Sequence, residues 1–185
     1  MKELFEAVRA GDLARVQALV DADPTLAIFA AAVLGDAPRL EELLTGNRSL
    51  VSVTSPDGWT PLHLAAFFGK EDAARLLLNK GASVTARSTN AMTNTPLHAA
   101  AAGKHSDMVK LLLERGASAN ARQHGGWAPL HSAAQNGDLE SARALIDAGA
   151  DVSARADNNQ KPLDLALTGA QQTMVEFLET NGAKL

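Results

Sequence analysis

One short phrase of sequence occurs four times in this chain at nearly constant steps of 35, 33 and 33 residues. Its copies are Thr60–His63, Thr95–His98, Ala128–His131 and Lys161–Asp164. A Gly-Ala pair follows the start of each copy at a constant distance of 21 residues. These pairs begin at Gly81, Gly116, Gly149 and Gly182. Two motifs with the same spacing indicate a real internal repeat. A period of this size predicts stacked units rather than one globular core.

The phrase Thr-Pro-Leu-His at this period resembles the signature of the ankyrin-repeat family, and the resemblance extends over nearly the whole chain. It implies an all-α repeat solenoid made of stacked helix-turn-helix units. It also implies short hairpin loops between successive units, which we call fingers. We expect six units, with fingers between units 2 to 6.

The unit that begins at Thr60 shows how the sequence specifies two helices. Thr60 can cap the first helix, and Pro61 suits the first helical position, where no amide hydrogen is needed. Gly69 can adopt the left-handed conformation that ends this helix. Residues Glu71 to Leu78 then have the apolar spacing of a second, antiparallel helix, and Gly81 closes the unit.

Two weaker units precede the first copy of the phrase. Aligning Gly11 and Gly35 with Gly69 places pairs of small apolar residues at matching positions of each first helix. The step from Gly11 to Gly35 leaves no room for a finger, so we expect Asp23-Pro24 to turn the chain directly into the next helix. The predicted single domain, 1–185, divides approximately into units 1–24, 25–47, 48–82, 83–117, 118–150 and 151–185. The first and last units would act as caps.

Two local departures from the repeat carry structural predictions. Residues Ser88 to Asn94 contain two extra positions, so this finger should be longer than the others. Gly103 and Gly169 lie one residue before the position of Gly69, which is taken by Lys104 and Ala170. Either these helices end early at the glycine, or a residue with a β-carbon is left-handed at a cost of roughly 1 kcal/mol. We favour the early end.

Composition excludes several classes of partner. The chain has 17 basic and 21 acidic residues and a net charge of −4, without runs of like charge, so we expect no nucleic-acid partner. Its longest apolar run, residues 26–34, is too short to span a bilayer, and its first residues lack the pattern of a signal peptide. The absence of cysteine is typical of a reducing compartment. We therefore expect a cytoplasmic protein with no membrane partner.

The repeated histidines do not predict a metal site or a catalytic site. Adjacent helices in a stack are about 10 Å apart, so His63, His98 and His131 cannot share an ion whose ligands lie about 2 Å away. The resemblance implies instead that each imidazole binds backbone groups and joins one unit to the next. Ser132 and His131 point in different directions on a helix, and no phosphate-binding glycine motif is present. We predict no enzymatic activity and no cofactor.

The resemblance implies that partners contact the finger tips and two variable positions near the end of each first helix. The candidate partner-binding residues on the helices and fingers are Asp57, Trp59, Phe67, Phe68, Met92, His124, Trp127, Gln135 and Asn136. Aromatic side chains bury a large area at low entropic cost, which suits a protein-binding groove. The alternative is that Trp59 and Trp127 only pack the fingers, and that Phe67 or Phe68 turns inward.

These observations predict a non-catalytic protein–protein interaction module that binds a protein or peptide partner in its concave groove. The alternative is a structural protein that self-associates through the same apolar residues. We expect a monomer under the first hypothesis. Nothing in the sequence identifies the partner or its pathway, because function in repeat proteins depends on variable surface residues.

Overall fold

The computed structural model describes residues 1–184, which contain twelve α-helices and no β-strand. In order, the helices are α1 Lys2–Arg9, α2 Leu13–Ala22, α3 Ala27–Leu34, α4 Ala37–Gly46, α5 Pro61–Phe67, α6 Glu71–Asn79, α7 Pro96–Ala102, α8 Ser106–Glu114, α9 Pro129–Asn136, α10 Leu139–Asp147, α11 Pro162–Thr168 and α12 Gln172–Thr180. Successive helices pack as pairs, and each pair packs on the next. The predicted all-α repeat solenoid is confirmed. The division into six units at the residues given above remains a prediction.

The two helices of a pair begin in different ways. Each of α5, α7, α9 and α11 starts with a proline that follows an extended residue. Three of the second helices, α2, α4 and α10, start after an aspartate whose carboxylate accepts a backbone N–H of the first turn. These aspartates are Asp12, Asp36 and Asp138. The sequence therefore marks the start of both helix types locally.

Alanine pairs let the first helices approach one another closely. Ala65 and Ala66 of α5 are fully buried, as are the matching pairs of α7 and α9. Leucines from both helices of each pair fill the space between the layers, for example Leu62 and Leu77. The core is thus a narrow, continuous layer along the stack.

The expectation that α7 ends early is wrong. α5 and α7 both have seven residues, and Lys104 has a left-handed φ of 60° where Gly69 has 64°. Ala170 is also left-handed, with φ 53°. Gly103 has an ordinary φ of −76°, but a β-carbon there would lie 2.4 Å from the carbonyl oxygen of Phe67. The glycine at 103 therefore allows close packing of α5 and α7, and the left-handed position falls to Lys104.

Four fingers project beside the helix stack. Each is closed by a hydrogen bond from a backbone N–H to a carbonyl oxygen across the hairpin, 2.8 to 2.9 Å long. The closing pairs are Ser55 with Trp59, Ser88 with Asn94, Gln123 with Trp127, and Ala156 with Gln160. The second finger encloses two more residues than the other three, as its sequence predicts.

Neighbouring fingers are also joined to one another. In the second, third and fourth fingers, the residue that follows the closing N–H donor makes a bond of its own. Its N–H donates to a carbonyl near the tip of the preceding finger, over 2.8 to 2.9 Å. These bonds are Thr89 to Gly58, His124 to Met92, and Asp157 to Gly125. Pro56 is the matching residue of the first finger and has no N–H to donate. In each of these bonds the later finger donates to the earlier one, and the first finger makes no such bond through Pro56.

No finger precedes α3. A 3-10 helix, Pro24–Leu26, leads into α3 after Asp23, whose carboxylate accepts the N–H of Thr25. A cavity of about 500 Å³ lies between this turn and the first finger, and buried Ile28 and Phe29 form part of its wall. Within the described residues, every helix is too short or too polar to cross a bilayer.

Candidate functional site

The three buried histidines connect each helix pair to the following finger. Nε2–H of His63 donates to the Asn94 carbonyl oxygen over 3.0 Å, although 31 residues separate them. His98 reaches the Trp127 carbonyl over 3.1 Å, and His131 reaches the Gln160 carbonyl over 3.2 Å. Because a carbonyl oxygen only accepts, Nε2 carries the proton in each ring. These bonds fix the closing residue of each of these three fingers relative to the helices.

The other ring nitrogen of each histidine faces the start of its own helix. Nδ1 lies 2.8 Å from the hydroxyl of Thr60 in His63 and 2.8 Å from that of Thr95 in His98. In His131, Nδ1 accepts the N–H of Ala128 over 3.1 Å. In α11 the carboxylate of Asp164 takes this place and accepts the N–H of Lys161 over 2.8 Å.

Burial keeps the imidazole rings neutral. Removal from water lowers the pKa of His63 and of His98 from 6.5 to about 4, against the opposing effect of their carbonyl partners. Burial also lowers the pKa of His131. With both nitrogens bonded inside the protein, the rings offer no free ligand atom. Among the described residues, no group of three or more His, Asp or Glu side chains is arranged to hold a metal ion.

Three predicted aromatic residues form one cluster with a fourth that the sequence reading missed. Trp59 packs edge-on to Phe67 with ring centroids 5.4 Å apart, and Phe67 packs edge-on to Phe68 at 5.4 Å. Phe68 then contacts Phe5 of α1 at 5.6 Å. All four side chains are half-buried. We call these four residues the aromatic cluster. Phe5 lies outside the repeated phrase, so its aromatic side chain was the only sequence signal that could have identified it.

Three other candidates lie around one pocket of about 250 Å³. Met92, Trp127 and Gln135 line it together with residues that were not among the predicted partner-binding residues. These additional residues are Gln123, His131, Ser132 and Leu165. We call this space the Trp127 pocket. Gln123 lies in a finger and Leu165 in α11, so the pocket draws on elements far apart in the sequence.

The remaining candidates differ in how far their polar groups are already used. Asp57 and His124 are exposed finger residues, and the carbonyl of Asp57 accepts the Asn90 amide over 2.9 Å. Asn136 is half-buried, and its amide donates to the carbonyls of Ala101 and Ala102 over 3.2 and 3.3 Å. The Asn136 side chain thus contributes to contact between α9 and α7.

Comparison with known proteins agrees with this architecture. A family model described as ankyrin repeats in three copies matches residues 4–88, 28–123, 84–156 and 121–185. The chain is also similar to Ankyrin repeat and SAM domain-containing protein 6 of Rattus norvegicus, with 38% identity over 101 residues. The Mus musculus protein of the same name is 40% identical over 101 residues. Each match covers 49% of this chain and only 11% of the relative.

Proposed function

Because the chain belongs to the ankyrin-repeat family, we propose that it binds a protein or peptide partner in its concave groove. Ankyrin repeats are generally protein–protein interaction modules. The proposed groove contains the aromatic cluster and the Trp127 pocket. Exposed Asp57 and His124 at the finger tips and Asn136 of α9 complete it.

The partial exposure of apolar side chains at these two places carries the proposal. Met92 is 47% exposed and is one of only three large hydrophobic side chains in the described residues that reach solvent to such an extent. Trp59, Phe67, Phe68 and Trp127 are half-buried, so each residue keeps some accessible surface. Rigid, partly exposed aromatic residues are the typical anchors of protein interfaces.

We propose further that this role is non-catalytic and needs no cofactor. The buried rings beside the groove, His98 and His131, are already bonded through both nitrogens, which supports binding rather than chemistry. The net charge of −4 favours a protein partner over nucleic acid or an anionic membrane surface. The absence of cysteine supports a cytoplasmic location.

Affinity measurements on a captured partner test the groove. Replacement of Met92 or Trp127 by alanine should weaken binding about tenfold or more, since interface anchors contribute over about 1.4 kcal/mol each. Leu13→Ala is the matched control, because Leu13 is 62% exposed but lies in α2, in the other helix layer. Unchanged affinity of the Met92 and Trp127 variants, with their helical content intact, would remove the groove from consideration.

Self-association through the same residues is the competing function. The ring contacts within the aromatic cluster already cover part of each ring, which leaves less apolar surface for a second copy. We therefore expect light scattering to give the monomer mass at micromolar concentration. A dimer that dissociates on Met92→Ala would instead support the structural role.

A further inference from the structure

The Trp127 pocket contains polar side chains that the fold does not use. Within residues 1–184, the side chains of Gln123, Ser132 and Gln135 take part in no hydrogen bond, although all three line the pocket. Some other polar side chains between repeats are already hydrogen-bonded within the protein. Asn120, for example, donates to the Gly149 carbonyl over 2.7 Å and accepts the Asp151 N–H over 2.8 Å. The pocket therefore holds two carboxamides and a hydroxyl that remain available to a ligand.

The other wall of the pocket is apolar, and the indole of Trp127 within it is held in place. Met92, Trp127 and Leu165 form this wall. The Trp127 ring packs edge-on against the buried His131 ring with centroids 5.2 Å apart. The Trp127 carbonyl accepts N–H groups from both Gln123 and His98, which fixes the backbone. An incoming ring would thus meet a preorganised indole and a flexible thioether, both of which favour aromatic contacts.

Size and charge restrict what the pocket can take. Its volume of about 250 Å³ is below the roughly 300–1,000 Å³ of pockets for drug-sized ligands, so it has room for about one side chain. No carboxylate, ammonium or guanidinium group lines it. A charged side chain would lose hydration there without gaining an ion pair, which is costly. A neutral side chain with an apolar body and one polar end fits best.

We propose that the Trp127 pocket binds a tyrosine side chain of the partner. The ring packs between Trp127, Met92 and Leu165, and the phenolic hydroxyl bonds with the free amides and hydroxyl. This inference rests on the proposed function, because it names the side chain that the groove accepts. The 185 residues contain no tyrosine, so a second copy of this sequence cannot supply it.

Nuclear magnetic resonance with blocked tripeptides tests the proposal. The probes are acetyl-Gly-Tyr-Gly-amide, the same peptide with phenylalanine, and the same peptide with phosphotyrosine. The chain has two tryptophans, hence two indole N–H signals, and Trp59→Phe assigns the one from Trp127. We expect the tyrosine peptide to shift the Trp127 signal in a saturable way, with about three- to tenfold higher affinity than the phenylalanine peptide. The phosphorylated peptide should not shift it.

Two variants separate recognition of the hydroxyl from mere packing. The double substitution Ser132→Ala with Gln135→Met should remove the preference for tyrosine over phenylalanine while the phenylalanine peptide binds as before. Gln17→Met, on the exposed face of α2, is the matched control and should leave the preference intact. Equal affinity for both peptides in the unaltered protein, or no saturable shift of the Trp127 signal, would overturn the tyrosine assignment. Groove binding of a protein partner that still depended on Met92 would then leave the proposed function standing.

Discussion

His63, His98 and His131 join helices to fingers as neutral rings, and this makes stability depend on pH. Burial places the pKa of His63 and His98 near 4 in the folded chain, against about 6.5 when unfolded. Between these values the unfolded state binds protons that the folded state does not. The stability contributed by neutral burial is therefore complete above pH 6.5 and is lost as the pH falls toward 4.

We expect the free energy of unfolding to fall by roughly 1 to 2 kcal/mol per buried histidine between pH 6.5 and 5. His131 shifts in the same direction and should add to the effect. Urea titrations at several pH values measure it, and most carboxylates stay ionised in this window. In His98→Gln the pH dependence should be shallower than in the unaltered chain. An unfolding free energy that does not change across this window would show that the rings do not stay neutral.

Lys104 and Ala170 are left-handed without the freedom of glycine. Lys104→Gly and Ala170→Gly should each raise the unfolding free energy by about 1 kcal/mol, less the small entropic cost of glycine. Gly11→Ala is the reverse control, because Gly11 has φ 68° and a β-carbon there would meet no atom within 4 Å. This substitution should lower the unfolding free energy by a similar amount. Unfolding in urea measures all three, and no gain at position 104 would contradict the left-handed assignment.

At the scale of helices, small residues between α5, α7 and α9 determine how closely these three helices pack. The fully buried alanines leave room for neighbouring backbones, and Gly103 admits the Phe67 carbonyl. His105 fits against Gly69 in the same way, since a β-carbon there would lie 2.5 Å from the imidazole ring. The stack is therefore sensitive to added volume at these positions even where the backbone angles are ordinary.

Gly103→Ala isolates this steric effect. We expect a loss of about 1–3 kcal/mol in unfolding free energy, because the added methyl group pushes α5 and α7 apart. Gly46→Ala is the comparison at the end of α4, where a β-carbon meets nothing within 4 Å and alanine should stabilise the helix by up to about 1 kcal/mol. Equal effects of the two substitutions would mean that Gly103 is not a packing residue.

At the scale of the molecule, the sequence predicted the helices but not the contacts that cross them. Thr60, Pro61 and Gly69 specify their own unit through local backbone preferences, so the helix pair was predictable from one repeat and the stack from the repeat period. The role of Gly103 depends on a carbonyl 36 residues away, and the approach of Phe5 to Phe68 depends on how three pairs stack. Such distances follow from tertiary packing, which the repeat period does not encode.

The candidate site was predictable to a similar degree. Residues at variable repeat positions, such as Met92, Trp127 and Gln135, were found because the repeat gives their position directly. Gln123 and Leu165 were missed because they become neighbours only when a finger and α11 close the same pocket. Sequence position thus indicated three of the residues that line the Trp127 pocket, while the rest of its lining required the structure.

We propose that helix pairs and fingers align Trp59 and Trp127 on one partner-binding groove. The most direct test follows the two indole N–H signals of the protein as a captured partner is added. We expect both signals to change on binding, while amide signals from the outer face of α2 do not. A partner that binds with both indole signals unchanged would contradict it.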